Sequence, residues 1–232
     1  MLLIGPIGPQ LSETCPVPAD FVRAHTRLAP VPFVPEVRIY QADEPIALWE
    51  HTEADGGTEQ PPPFWAFAWA GGQALARYVL DHPDLVAGRS VLDLATGSGL
   101  VAIAAVRAGA GPVTANDIDP LSLAAARLNA DANRVRLRCV ASDLLDTDDR
   151  YEVILAGDCL YGADIAARML PFLARAAERG ATVLLGDPGR GFTPPSEVET
   201  LATYHHPAMG EAEDGRHEHS SVLRPAARIP VA

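Results

Sequence analysis

The chain contains no lysine. All 18 of its Lys and Arg positions are arginine, against 30 Asp and Glu, and the formal net charge is −12 over 232 residues. A surface of that sign repels a phosphate backbone, which argues against nucleic acid as a partner. It suits a basic protein surface or a cationic substrate, because opposite fields steer encounter. The bland reading of the same acidity is a solvated surface that keeps the chain in solution.

Cysteine is scarce. Cys15, Cys139 and Cys159 are scattered, odd in number and without C-x-x-C spacing, which argues against a disulfide framework and a zinc site and predicts a reducing, cytoplasmic setting. No run approaches the roughly 18 apolar residues that cross a membrane, so no membrane partner is expected. The first ten residues, MLLIGPIGPQ, are apolar but few and carry no basic residue; they read as neither a signal nor a transit peptide. His205, His206, His217 and His219 look metal-like in pairs, but no Cys or carboxylate constellation supports them. They read as loop histidines, and no metal is expected.

What is present is ordinary for a globular chain: 48% hydrophobic and 21% charged residues, enough length to bury a full core. Residues 1–63 are Pro-rich and irregular and read as a cover, not an independent domain. Within them the pattern predicts a helix over 19–28, strands over 37–40 and 46–49, and a loop over 51–63, where DGG and PPP stand. Residues 64–232 read as the main domain. There, strands are predicted over 90–95, 112–118, 135–140, 151–157 and 181–186. Helices are predicted over 73–81, 100–108, 120–130 and 163–178. Alternation of this kind is the signature of a parallel α/β sheet with crossover helices on both faces. The segments 198–205 and 218–223 have no helix between them and should pair antiparallel.

The run Asp93-Leu94-Ala95-Thr96-Gly97-Ser98-Gly99 follows the first strand of that series and opens a helix. Glycines there let backbone approach a ligand, and free N–H groups at a helix start attract anions. Gly97 and Gly99 also fit a dinucleotide fingerprint, and Asp117 at the end of the next strand can hold a ribose diol in either NAD or S-adenosylmethionine. Three features choose between them. Asp93 suits the cationic amino group of a methionine moiety and opposes a pyrophosphate. The sheet unit begins late, behind a long cover. Asp143, after the third strand, can receive an adenine amino group, although it also reads as a solvated loop acid. Asp158 reads alternatively as a helix cap, Tyr161 as core, and Asp187-Pro188-Gly189-Arg190 as a plain turn. Trp65, Phe67 and Trp69 alternate, which suits a strand face or a ligand wall.

In the order DLATGSG, NDIDP, SD and GDCLY, the chain resembles the seven-beta-strand protein-lysine methyltransferases that carry an Asp-x-Phe-Tyr type motif. Within them it is most similar to the electron-transfer-flavoprotein β-subunit lysine methyltransferases and their bacterial relatives. The resemblance runs from about residue 61 onward, and WAGGQALARYVL and GDPGR are its most discriminating segments. It implies a Rossmann-like, seven-stranded class I methyltransferase sheet with a C-terminal antiparallel hairpin, and S-adenosylmethionine as cofactor, leaving as S-adenosylhomocysteine. It implies that Trp69 and Gly71 border the cofactor, that Asp93, Gly97 and Gly99 cradle the methionine part, that Asp117 binds ribose and that Asp143 lies near adenine. Asp158 and Tyr161 would face the substrate lysine. Two positions depart from the family: its middle aromatic is Leu160 here, and its first loop glycine is Ala95, a change tolerable at φ < 0.

The function so implied is protein-lysine N-methylation of the electron transfer flavoprotein β-subunit, with a ribosomal stalk protein as a further substrate. Competing readings are a small-molecule N-methyltransferase acting on a pyridine or amine, a binding module that kept only the cofactor site, and a nicotinamide-dependent reductase.

Overall fold

The structure, a computed structural model, describes residues 18–43, 48–49, 62–148, 150–205 and 219–226. Seven strands form the main sheet: β3 (Val91–Leu94), β4 (Val113–Asp117), β5 (Arg138–Ala141), β6 (Val153–Gly157), β7 (Thr182–Asp187), β8 (Val198–His205) and β9 (His219–Pro225). Their spatial order is β5-β4-β3-β6-β7-β9-β8. The first five run parallel, and β9 pairs antiparallel with both β7 and β8. The α/β class, the seven strands and the terminal hairpin agree with the sequence-based expectation.

Central strands of a covered parallel sheet are buried on both faces. All four residues of β3 and the first four of β6 are buried accordingly. Alternate residues go to opposite layers. Val91, Leu155 and Leu184 join the helices Ala70–Asp81 and Leu100–Arg107, while Leu92, Ile154 and Val183 join the helix Ala163–Glu178 through Met169, Phe172 and Leu173.

Local chemistry sets the helix ends. Asp119 caps the helix Pro120–Ala132 by accepting from the Leu121 N–H at 2.8 Å, with Pro120 in the first turn. The helix Ala163–Glu178 stops before Gly180, whose φ of 93° is open to glycine at little steric cost. The helix Ala70–Asp81 begins three residues earlier than periodicity predicts, with Trp69 at its N-cap position, because glycines 71 and 72 hide the apolar signal.

The N-terminal segment differs from expectation in three places. The helix is shorter, Pro18–His25. A strand that periodicity missed, β1 (Arg27–Val31), pairs antiparallel with β2 (Val34–Gln41). Leu48 and Trp49 are helical, not extended. The loop predicted over 51–63 lies outside the described residues except for Pro62 and Pro63, as do Cys15, His206 and His217. His205 and His219 are strand-end residues paired across β8 and β9, not loop histidines.

The β1–β2 hairpin is a second, two-stranded sheet, but it shares the main core: Val31, Val34, Val37 and Ile39 pack in the same cluster as Leu75 and Ile103. Two buried asparagines tie it down. Asn129 accepts from the Tyr40 N–H at 2.7 Å and donates to the Ser98 carbonyl at 2.7 Å. Asn133 accepts from the Arg38 N–H at 3.1 Å. No helix among the described residues is long and apolar enough to cross a membrane.

Candidate active site

The strand order reverses between β3 and β6. Crossovers leave in opposite directions there, which opens a crevice at the carboxyl edge of the sheet. A cavity of about 810 Å³ occupies that crevice. Aspartates stand at or just beyond the ends of successive strands: Asp143 beyond β5, Asp117 on β4, Asp93 on β3, Asp158 beyond β6 and Asp187 on β7.

Of the nine residues singled out in the sequence, seven line the cavity: Trp69, Asp93, Gly97, Asp117, Asp143, Asp158 and Tyr161. Gly71 and Gly99 do not. Gly71 lies where the helix Ala70–Asp81 presses on β7, and it donates its N–H to Asp158 Oδ2 at 2.8 Å. Gly99, at φ 79°, starts the helix Leu100–Arg107, and a Cβ there would sit 3.0 Å from Ala126 Cβ. Both glycines shape the wall from behind.

Asp93 is fully buried at 1% exposure. Its Oδ2 accepts from Thr96 Oγ1 at 2.5 Å and from the Ala102 N–H at 2.9 Å. Burial pushes its carboxyl up to about 7, and the charge of Asp117 adds to that rise against those two hydrogen bonds. Asp117 is also pushed up, first by burial, although the N–H groups of Asp119 and Gly97 donate to it at 3.0 and 2.9 Å. Each Asp117 oxygen keeps a lone pair for a further donor such as a ribose hydroxyl. Asp143 is at the exposed rim, where Arg168 donates to it at 2.7 Å and holds its carboxyl below the usual range.

Among the described residues, three have φ > 0 without being glycine: Ala95 (54°), Arg134 (57°) and Asp158 (55°). The condition under which alanine replaces the family's loop glycine without strain is therefore not met. Asp tolerates the left-handed region better than most residues. Strain of this kind collects at functional positions, and Asp158 carries it directly after β6.

Asp158 is held tightly. Its side chain is 3% exposed, and Arg190 Nε donates to its Oδ1 at 2.9 Å. Burial raises its carboxyl, while the charge and hydrogen bond of Arg190 and the Gly71 N–H oppose that rise. Arg190 also lies over the Trp69 ring, 5.8 Å from its centre. Trp69 is fixed in turn by donating Nε1 to the Phe64 carbonyl at 2.7 Å. Tyr161, half exposed, packs on Phe64 with centroids 5.0 Å apart. An aromatic wall of Phe64, Phe67, Trp69 and Tyr161 therefore lines the cavity.

Leu160 points away, into the core cluster with Phe172, so the missing aromatic opens no gap in that wall. Trp65 is likewise core, packed near Phe21. The alternating aromatics thus divide, with Trp65 inside and Phe67 and Trp69 on the cavity. Cys159 is buried and its thiol is pushed up by that burial, which leaves it inert. Arg190, Phe64 and Thr96 are among the cavity residues to which sequence reasoning gave no role.

The donor set selects the cofactor class. Carboxylates at Asp93, Asp117 and Asp158 face one cavity; they would repel a pyrophosphate and attract an ammonium or a sulfonium. Apolar Leu94, Ile118 and Leu144 supply a surface for a nucleobase. These residues fit S-adenosylmethionine and not a dinucleotide.

Comparison with known proteins agrees. The profile of the ribosomal protein L11 methyltransferase (PrmA) family matches residues 73–186. The electron transfer flavoprotein beta subunit lysine methyltransferase of Xenopus laevis is 39% identical over 185 residues, covering 77% of this chain and 72% of that protein. The Homo sapiens protein is 41% identical over 146 residues, 62% of this chain, and the aligned part spans 52% of its length. The Caenorhabditis elegans homolog is 32% identical over 187 residues, covering 73% of this chain and 75% of that protein. Among solved structures, TrmN from Thermus thermophilus superposes with a TM-score of 0.50 at 25% identity, over 73% of this chain and 55% of that one. A putative RNA methyltransferase from Pyrococcus horikoshii shares the fold with a TM-score of 0.50 at 14% identity, over 73% and 91% of the two chains. The chain belongs to the electron transfer flavoprotein beta subunit lysine methyltransferase family and is an S-adenosylmethionine-dependent protein-lysine methyltransferase.

Proposed function

We propose that this enzyme methylates lysines of the electron transfer flavoprotein β-subunit, with Asp158 and Tyr161 on the acceptor side of the cavity. Asp93, Gly97 and Asp117 hold the methionine and ribose parts of the cofactor, and Asp143 and Trp69 border its nucleoside. The cofactor supplies a methyl group on a sulfonium. The protein's task is to hold an amine in line with it, a proximity effect.

A lysine amine has a pKa near about 10.4 and arrives protonated. Asp158 orients that amine and takes its proton, directly or through one water. Burial, which raises its carboxyl, makes it the stronger proton acceptor. Tyr161 and Phe64 wall the path along which an extended side chain enters. The observation that carries this reading is the buried, positive-φ Asp158 in the same cavity as Asp93 and Asp117.

The names of the relatives supply the substrate. A ribosomal stalk protein is the second candidate, because the L11 methyltransferase profile matches residues 73–186. Residues 1–63 act as a cover on the domain 64–232. A cytoplasmic setting suits the two described cysteines, both free.

The test pairs turnover with calorimetry. Asp158→Ala should lower turnover by about 100-fold or more, the scale of a lost general base, while affinity for S-adenosylhomocysteine stays within about 3-fold. Equal loss of both would make Asp158 a cofactor or structural residue.

A further inference from the structure

The acceptor end of the cavity already holds a cation. Asp158 Oδ2 accepts from the Gly71 N–H at 2.8 Å, on the side of the helix Ala70–Asp81, and Oδ1 accepts from Arg190 Nε at 2.9 Å. The same guanidinium lies over Trp69. A buried carboxylate beside an aromatic face is a seat for a positive charge, and a protonated lysine is a positive charge. Oδ1 has a second lone pair, but two cations held on one buried oxygen repel each other at contact distance, so an ammonium and the guanidinium compete for it.

The turn that carries Arg190 is anchored at its base and open at its tip. Asp187 Oδ1 accepts from the Gly189 N–H at 2.8 Å and the Arg190 N–H at 3.4 Å, and its Oδ2 accepts from Thr193 Oγ1 at 2.6 Å. Gly189 and Gly191, at φ 86° and 85°, flank Arg190 in open space. The Arg190 side chain is 20% exposed, so solvent already reaches it.

We propose that Arg190 occupies the seat of the acceptor ammonium, a placeholder that an incoming lysine displaces from Asp158, which makes Arg190 a specificity-determining residue. The inference rests on Asp158 being the acceptor-side carboxylate. Its consequence is selection of acceptors by how they are presented. A lysine on a docked protein meets the seat at high effective concentration and competes with the tethered guanidinium. A free amine must compete from bulk solution.

The probe is n-butylammonium, titrated by calorimetry into the full chain saturated with S-adenosylhomocysteine. Arg190→Ala should bind it about 10-fold more tightly than the wild type, the scale of a charged hydrogen-bond competitor removed. Adding Asp158→Asn should abolish that gain. Should Arg190→Ala not fold, Arg190→Gln carries the same expectation, because it keeps polar bulk without charge. Equal or weaker binding by the charge-removed variant, with S-adenosylhomocysteine affinity unchanged, would overturn the placeholder and leave Arg190 as a support that orients Asp158. In that case loss of turnover in Asp158→Ala would show that only the placeholder had failed. Intact turnover there would show that the acceptor-side reading had failed with it.

Discussion

Gly71 and Gly186 meet backbone to backbone: a Cβ on Gly71 would lie 2.5 Å from the Gly186 carbonyl oxygen, and a Cβ on Gly186 would lie 1.9 Å from that of Gly71. Neither distance is available to a real side chain. The contact seats the helix Ala70–Asp81 on β7 and brings the Gly71 N–H to Asp158. Gly186→Ala must therefore push the helix off the sheet. We expect a loss of about 3 kcal/mol, the upper range for overpacking a filled core, measured as a lower denaturant midpoint. A loss below about 1 kcal/mol would mean the two segments part easily.

Ala95 offers the opposite change. Its φ of 54° is a conformation in which a Cβ costs about 1–2 kcal/mol and glycine pays little. Ala95→Gly should raise stability by up to about 1 kcal/mol, after the larger unfolded-state entropy of glycine is set against the relief. Thermal unfolding checks this, and a lower melting temperature would show that the strain is absorbed elsewhere.

Much of this was legible in the chain. The glycine loop, the acids at strand ends and the boundaries Ala163–Glu178 and Val198–His205 follow from short-range patterns of apolar period, caps and turn residues. What was hidden depends on contacts distant in sequence. Gly71 reads as a ligand glycine until Gly186 is seen against it. Arg190 reads as part of a turn because its partner Asp158 is 32 residues away. The predicted helix over 19–28 overlaps only the first two residues of β1, and the rest of that strand has no signal because Pro30 breaks its alternation; only the partner β2 shows it. The signal that points to Arg190 is local but weak: an arginine between two glycines just beyond a buried strand.

Asp93 gives the pH dependence. Its carboxyl stands at about 7 in the folded chain, against an ordinary value of 3.8. Between these values the folded state keeps a proton that the unfolded chain has released. The contribution of Asp93 is therefore most favourable at low pH and declines as pH rises toward 7, by about 1.4 kcal/mol per pH unit. Asp93→Asn, which can still accept from Thr96 and Ala102, should remove that slope from the pH profile of unfolding. A cofactor ammonium favours the ionised form, so affinity for S-adenosylhomocysteine should rise as pH passes through about 7 in the wild type. Affinity that ignores pH there would dissociate Asp93 from the methionine amino group.

Asn129 couples the hairpin to the glycine loop that follows β3. It is wholly buried, with Tyr40 on one side of its amide and Ser98 on the other. Asn129→Leu leaves the Tyr40 N–H and the Ser98 carbonyl without that partner, at about 1–3 kcal/mol for each group. We expect lower stability together with weaker S-adenosylhomocysteine binding, because Ser98 belongs to the loop over the cavity. Calorimetry on the folded fraction checks this, and unchanged affinity would confine Asn129 to a structural role.

The most direct measurement is intact-mass and peptide mass spectrometry of recombinant electron transfer flavoprotein after incubation with this enzyme and S-adenosylmethionine. The enzyme contains no lysine, so every methyl-lysine detected belongs to the substrate. The account predicts methyl additions on β-subunit lysines that vanish with Asp158→Ala. An unmodified β-subunit, with S-adenosylhomocysteine binding intact, would contradict the proposed substrate; additions that persist in Asp158→Ala would contradict the proposed site.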